Sequence, residues 1–283
     1  MGAHPIYRVD PADPRAPSDE VWAELSEDER RAIVAALPSE IELGPPEGDT
    51  HRIAIEKTKD PLEGFFERLG RRVYISSNLA VYYPNERVFA PDLLAVLDVD
   101  PHRREKWVVQ DEKRGLDFVL EVNVGGDRAK DFQRNVDLYA RLGIAEYFIY
   151  DPPRGLIRAF ALPSDGRTYD PVLGQQGRFP SRVLGLDLGL EDGVLRFFFN
   201  GAIVPETREL LDRAQRLLSD VMAKYDAALR RAEEAEAGRE EERRAREEEH
   251  RAREEEHRAR EAAEERVREL LAENERLRRE RDS

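Results

Sequence analysis

The stretch LDFVLEVNV, Leu116–Val124, decides how the rest of the chain reads. Phe118, Val119, Leu120 and Val122 form the apolar run of a fully buried strand. Glu121 interrupts that run. A carboxylate in apolar surroundings costs several kcal/mol unless something compensates it. The stretch therefore poses a fold question and a chemical one: what lies beside Glu121.

Similar runs extend to both sides. RVYIS (72–76), LAVYY (79–83), DLLAVLDV (92–99) and KWVVQ (106–110) precede it. After it, RAKDFQRNVDLYARLG (128–143) has the pattern of an amphipathic helix closed by Gly143. Strands resume at EYFIY (146–150), LIRAFAL (156–162) and LRFFFN (195–200). This order predicts an α/β class, a mixed sheet with at least one crossover helix. Towards the N-terminus, SEDERRAIVAAL (26–37) reads as a helix capped by Ser26, with Glu29 completing a capping box. EIELGPPEGDTH (40–51) reads as a loop, and DPLEGFFERL (60–69) as a short helix with Pro61 at its start. Residues 1–17, rich in Pro and Asp, are expected to be disordered. Residues 18–204 are expected to form the globular domain.

The chain has 283 residues, 37% of them charged and none of them cysteine. Disulfides and thiolate metal sites are excluded. The N-terminus lacks a basic-plus-apolar signal pattern, and no apolar run approaches the ~18 residues of a membrane span. A cytoplasmic protein is the simplest reading. The net charge of −14 argues against broad electrostatic binding of nucleic acid. It leaves room for a local basic groove, because much of the acid lies at one end of the chain.

That end begins near Pro205. Leu210, Leu211, Ala214, Leu217, Leu218 and Val221 have helical spacing. RAREEEH then occurs at 244–250 and again at 251–257, followed by RAREAAE at 258–264. The period is seven, but Ala245, Ala252 and Ala259 supply one small apolar residue per heptad, where a coiled coil uses two. Glu-to-Arg pairs at i,i+4, such as Glu249 with Arg253 and Glu254 with Arg258, support a solitary charged helix at roughly 0.2–0.5 kcal/mol each. Further on, Val267, Leu270, Asn274 and Leu277 fit a-d-a-d, with an Asn at a position that specifies register. Residues 205–283 thus read as a charged helical stalk ending in a short zipper that makes a homo-oligomer.

Glu121 has a candidate partner in Asp92, which opens another apolar strand directly after Pro91. Two acids at adjacent strand positions can share a divalent cation, and oxygen ligands suit Mg²⁺ or Mn²⁺. Such a cation activates water and stabilises charge in phosphodiester hydrolysis. The residues alone equally allow Asp92 to cap a turn and Glu121 to pair with a buried Arg.

The blocks APDLLAVLDVD, LDFVLEVNV, KDFQRNVDLYARLGIAEYFIYDP and SRVLGLDLGLEDGVLRFF, in this order, resemble those of the Uma-two restriction-endonuclease family. That family is also called domain of unknown function 820 and lies in the PD-(D/E)XK nuclease superfamily. The resemblance covers roughly residues 50–200. It implies a restriction-endonuclease-like mixed sheet flanked by helices, and a divalent-metal-dependent endonuclease acting on DNA. The PD of the signature falls on Pro91-Asp92 and its second acid on Glu121, making these the implied metal ligands. The signature Lys, two residues later, is replaced by Asn123. Members of the family often carry a Lys four residues before the Tyr of the LYA block, and that position here is Asn135. The nearby Lys is Lys130.

At about 100° per residue, Phe132, Val136 and Tyr139 define the apolar face of the helix, Asn135 borders it, and Lys130 falls roughly opposite. Asn135 or Lys130 would orient the attacking water. The loop NVGGDR ahead of the helix has glycines that permit close backbone approach, next to a helix N-terminus that favours phosphate. A strand-to-helix turn capped by Asp127 accounts for it equally well. The missing Lys and the acidic charge also support a second reading: a nuclease-derived scaffold of little activity, working through protein contacts of its tail.

Overall fold

The computed structural model describes residues 7–40, 48–125 and 129–281. The chain divides into two units, residues 1–211 and 212–283. The first is a mixed α/β unit. Its helices and strands, in order, are α1 (Asp19–Glu24), α2 (Glu27–Ala36), α3 (Asp49–Arg68), β1 (Val73–Ser76), β2 (Ala80–Tyr82), β3 (Leu93–Leu97), β4 (Lys106–Val108), α4 (Val109–Glu112), β5 (Phe118–Val122) and α5 (Ala129–Arg141). They continue with β6 (Glu146–Asp151), β7 (Leu156–Ala161), β8 (Asp170–Pro171), β9 (Arg178–Ser181), β10 (Leu186–Glu191), β11 (Val194–Phe199) and β12 (Ala202–Ile203). The last helix, α6, runs Thr207–Arg281.

The central sheet has six strands in the order β1-β3-β5-β6-β7-β8. Only β5 and β6 are parallel; the other pairs are antiparallel. The β5–α5–β6 crossover is the predicted one, and it makes the sheet mixed. Strand β5 is buried on both faces, as its apolar run requires. Leu120 and Val122 pack with Ile55, Leu62 and Phe66 of α3 and with the inner face of a second sheet, β12-β11-β10-β9. Val119 packs on the other face with Tyr139 and Ala140 of α5. A third cluster joins Ile33 of α2 and Leu37, its C-cap, to Tyr82 and Val108 of a small parallel pair, β2-β4.

Local signals explain the ends of several elements. Ser26 and Glu29 form the reciprocal capping box that starts α2. Gly143, at φ +75°, ends the α5 segment, where Ile144 N–H returns to the Tyr139 carbonyl. Three expectations are corrected. Helix α3 is 20 residues long and contains Pro61, rather than being short and beginning there. An internal proline costs about 3 kcal/mol. His51, Ile55, Thr58, Leu62 and Phe65 are all buried at helical spacing, and that long apolar face outweighs the lost bond. KWVVQ divides, because β4 ends at Val108 and the chain turns into α4. Of residues 1–17, expected to be disordered, 1–6 lie outside the described residues. Residues 7–17 are tied to the domain by bridges from Arg15 to Arg87 and from Ala16 to Pro84, and Ala16 is buried.

In the second unit, α6 carries Leu218, Val221, Met222 and Tyr225 exposed, and further along Val267, Leu270 and Leu271 also exposed. Ion pairs at i,i+4 line it, including Arg253–Glu249 at 2.6 Å and Arg258–Glu254 at 3.6 Å. The side chain of Leu277 lies outside the described residues.

Candidate active site

Three elements converge on the end of β5. Strand β3 begins just after Asp92, next to it runs β5, and α3 covers one face while α5 covers the other. The antiparallel register sets Leu93 opposite Leu120, so Asp92 falls beside Glu121. The Asp92 carboxylate oxygen Oδ2 accepts the Val122 N–H at 2.6 Å and meets His51 Nε2 of α3 at 3.1 Å. Asp92 is 7% exposed. It is thus a cross-strand acceptor rather than a turn cap. Its own N–H reaches Glu121 Oε2 at 3.5 Å, a weak contact.

Glu121 Oε1 accepts the Tyr139 hydroxyl of α5 at 2.8 Å. Burial raises the carboxyl pKa well above its ordinary value, the neighbouring Asp92 charge raises it further, and the Tyr139 bond opposes both less strongly. Tyr139 is itself pushed up, by burial first and then by the Glu121 charge. Among the described side chains, no Lys or Arg pairs with Glu121. The pair Asp92–Glu121 therefore crowds two carboxyl groups together, with two hydrogen-bond donors and an imidazole around them.

Asn135 is half-buried on α5 beside Tyr147, whose hydroxyl burial drives upward in pKa. The Asn135 amide tempers that shift without reaching strict hydrogen-bonding geometry. Arg134, Asp137 and Arg141 point outward. Lys130 lies in the first turn of α5, and its side chain is outside the described residues, as is the glycine loop segment 126–128. Asp92 and Glu121 are thus together, with Asn135 on the helix face towards the tyrosines.

Asn123 stands two residues beyond Glu121. Its N–H bonds the Tyr150 carbonyl at 2.7 Å, and its Nδ2 donates to Asp151 Oδ2 at 3.1 Å. The side chain is committed to a cross-strand carboxylate.

His51 was hidden from the sequence reading. It falls in the expected loop 40–51, which conceals its helical spacing to Ile55, Thr58 and Leu62. That spacing, read through Pro61, is the signal that would have placed it on a buried helix face. Among the described residues, no group of three or more His, Cys, Asp or Glu side chains is arranged to hold a metal ion. The acidic pair can supply oxygen ligands from two side chains, a set suited to a hard divalent cation that keeps several waters.

A family model described as "Uma2: Putative restriction endonuclease" matches residues 23–196. Among solved structures, the chain is similar to a protein described as a "putative nuclease belonging to DUF820" from Anabaena variabilis ATCC 29413, at 12% identity and TM-score 0.43, over 57% of this chain and 95% of that one. No curated protein matches.

Proposed function

The chain belongs to the Uma2 family, and we propose that it is a divalent-metal-dependent DNA endonuclease that hydrolyses phosphodiester bonds. The observation that carries this reading is the pair itself: Asp92 and half-buried Glu121 face each other across β3 and β5, and no described Lys or Arg side chain pairs with Glu121. Two crowded acids at a strand end gain most from a bound cation. Mg²⁺ or Mn²⁺ would be held by Asp92 and Glu121, with the Val122 carbonyl as a further oxygen. When bound, the cation supplies an activated water and charge stabilisation at the phosphate.

The chain's own residues prepare that site. His51 and the Val122 N–H hold Asp92 by one oxygen. Tyr139 holds one oxygen of Glu121 and so sets the direction of the other. Asn135 offers a dipole and no charge where the family often has a Lys, so the assistance it gives an attacking water is weak. Slow turnover follows. Lys130, at the start of α5, is the alternative group for orienting that water.

Residues 18–204 are the nuclease domain in this reading. Residues 205–283 are a tail that assembles the chain into a homo-oligomer through the Val267-Leu270-Asn274-Leu277 segment. Removing residues 212–283 should then change the assembly state measured by sedimentation. No helix among the described residues is long and apolar enough to cross a membrane, and a cytoplasmic enzyme fits that. A scaffold of little activity is the second reading, favoured by Asn123 and Asn135 at both lysine positions.

The deciding assay is conversion of supercoiled plasmid to open circle with Mg²⁺ or Mn²⁺, using Asp92→Ala as the blank. Slow nicking above the blank, accelerated in Asn135→Lys, supports the enzyme. Wild type and Asn135→Lys both at the blank support the scaffold. A drop to the blank in Lys130→Ala assigns the role to Lys130 instead.

A further inference from the structure

The Asn123 amide has one end tied and the other end without a partner among the described residues. Its N–H extends the β5–β6 ladder one residue past the Val122–Tyr150 pair, which sets Asn123 across from Asp151. Its Nδ2 donates to Asp151 Oδ2 at 3.1 Å. Asp151 is in turn fixed by Arg154, whose backbone N–H meets Oδ1 at 3.1 Å and whose Nη1 meets Oδ2 at 2.8 Å. This brace also settles which end of the amide is which, because a flipped amide would set its oxygen against a carboxylate.

The oxygen Oδ1 is shielded from solvent and accepts no hydrogen bond among the described residues, and Asn123 as a whole is 5% exposed. A buried carbonyl oxygen without a donor is costly, and native folds keep few of them. Strand alternation puts positions 121 and 123 on the same face. The orphan oxygen therefore belongs to the face that carries the acidic pair. A ligand that satisfies two carboxylates and a neutral carbonyl oxygen together is a hard cation.

We propose that Asn123 Oδ1 is an oxygen donor to the divalent-cation site of Asp92 and Glu121, aligned for that task by Asp151 and Arg154. The proposal rests on the metal reading above. It also gives the replaced signature Lys a consequence: this chain puts an acceptor where the motif puts a cation, so positive charge at that position comes from the metal.

The test is calorimetric titration of Mn²⁺ into the metal-free full chain, with melting temperatures measured alongside. Asn123→Leu keeps a similar volume and removes both the orphan acceptor and the Nδ2 donor to Asp151, which keeps its two Arg154 donors. Its Mn²⁺ dissociation constant should rise roughly tenfold, while its metal-free melting temperature stays level or rises. A purely structural asparagine would give the opposite pattern, a lower melting temperature with unchanged affinity. Arg154→Ala, which loosens the brace, should weaken binding by a smaller factor. Asn123→Ala is the second variant if leucine disturbs packing. Wild-type Mn²⁺ affinity in either Asn123 variant, with binding lost in Asp92→Ala, overturns this proposal and leaves the metal reading standing. No Mn²⁺ binding by the wild type overturns both.

Discussion

Glu146 and Glu121 sit at opposite ends of one parallel strand pair, Glu146 at the first residue of β6 and Glu121 near the last of β5. Both are held in the fold, and burial raises the pKa of both. Their surroundings differ. Glu146 accepts the Ser181 hydroxyl, the Arg182 N–H at 2.7 Å and the Val183 N–H at 3.3 Å. Its charge is spent tying the second sheet to the first. Among the described residues Glu121 has one good donor, the Tyr139 hydroxyl, and its next neighbour is another carboxylate. A carboxylate surrounded by donors is a structural anchor; one left beside a like charge stores a cost that a ligand can relieve. Burial alone would not separate the two residues. The count and sign of their neighbours does.

The largest expected effect tests the anchor. Glu146→Leu would leave the Ser181 hydroxyl and two backbone N–H groups without an acceptor, and should lower unfolding stability by about 3 kcal/mol. Urea denaturation reads it. A loss as small as that of a surface change would erase the distinction between the two acids. Next comes the ligand. A hundredfold excess of Mn²⁺ over its dissociation constant should stabilise the wild type by about 2.7 kcal/mol by mass action. Glu121→Gln and Asp92→Asn should remove this gain, and Glu146→Gln should keep it. A thermal shift surviving in both site variants would place the ion elsewhere.

A smaller effect concerns pH. The folded-state pKa of Glu121 lies above its ordinary 4.5, so the folded protein binds that proton more tightly than the unfolded chain does. Its contribution to metal-free stability is fully present below about 4.5 and is lost as pH rises through the raised value. Glu121→Gln should flatten the decline and raise the metal-free melting temperature at pH 8. A steeper decline in the variant would reverse the sign of the argument. The smallest effect lies in the tail, where carboxylates face water. Glu249→Ala removes an exposed i,i+4 partner of Arg253 and should cost helix stability only about 0.3 kcal/mol, and less in high salt. Circular dichroism of the full chain at two salt concentrations measures it.

Much of the fold was legible because it is periodic. The apolar runs of β3, β5, β6 and β7, the phase of α5 and the capping box of α2 each depend on residues within a turn or two of one another. The pairing of Asp92 with Glu121 was also suggested locally, as two acids placed in otherwise apolar strands. Helix α3 was misread because a loop was inferred from Gly and Pro, and Pro61 looked like a start. Its true length follows from the face it buries, which only the packed sheet supplies.

By itself, then, the chain's order of residues determined an α/β domain with an acid inside a buried strand, and a long charged helix after it. The tertiary structure decided what those acids meet. His51 reaches Asp92 across 41 positions, Asn123 reaches Asp151 across 28, and Glu146 meets Ser181 across 35. Side-chain periodicity is a property of the local backbone, whereas a partner's identity depends on strand order and register. Those are settled only when the whole core is buried at once.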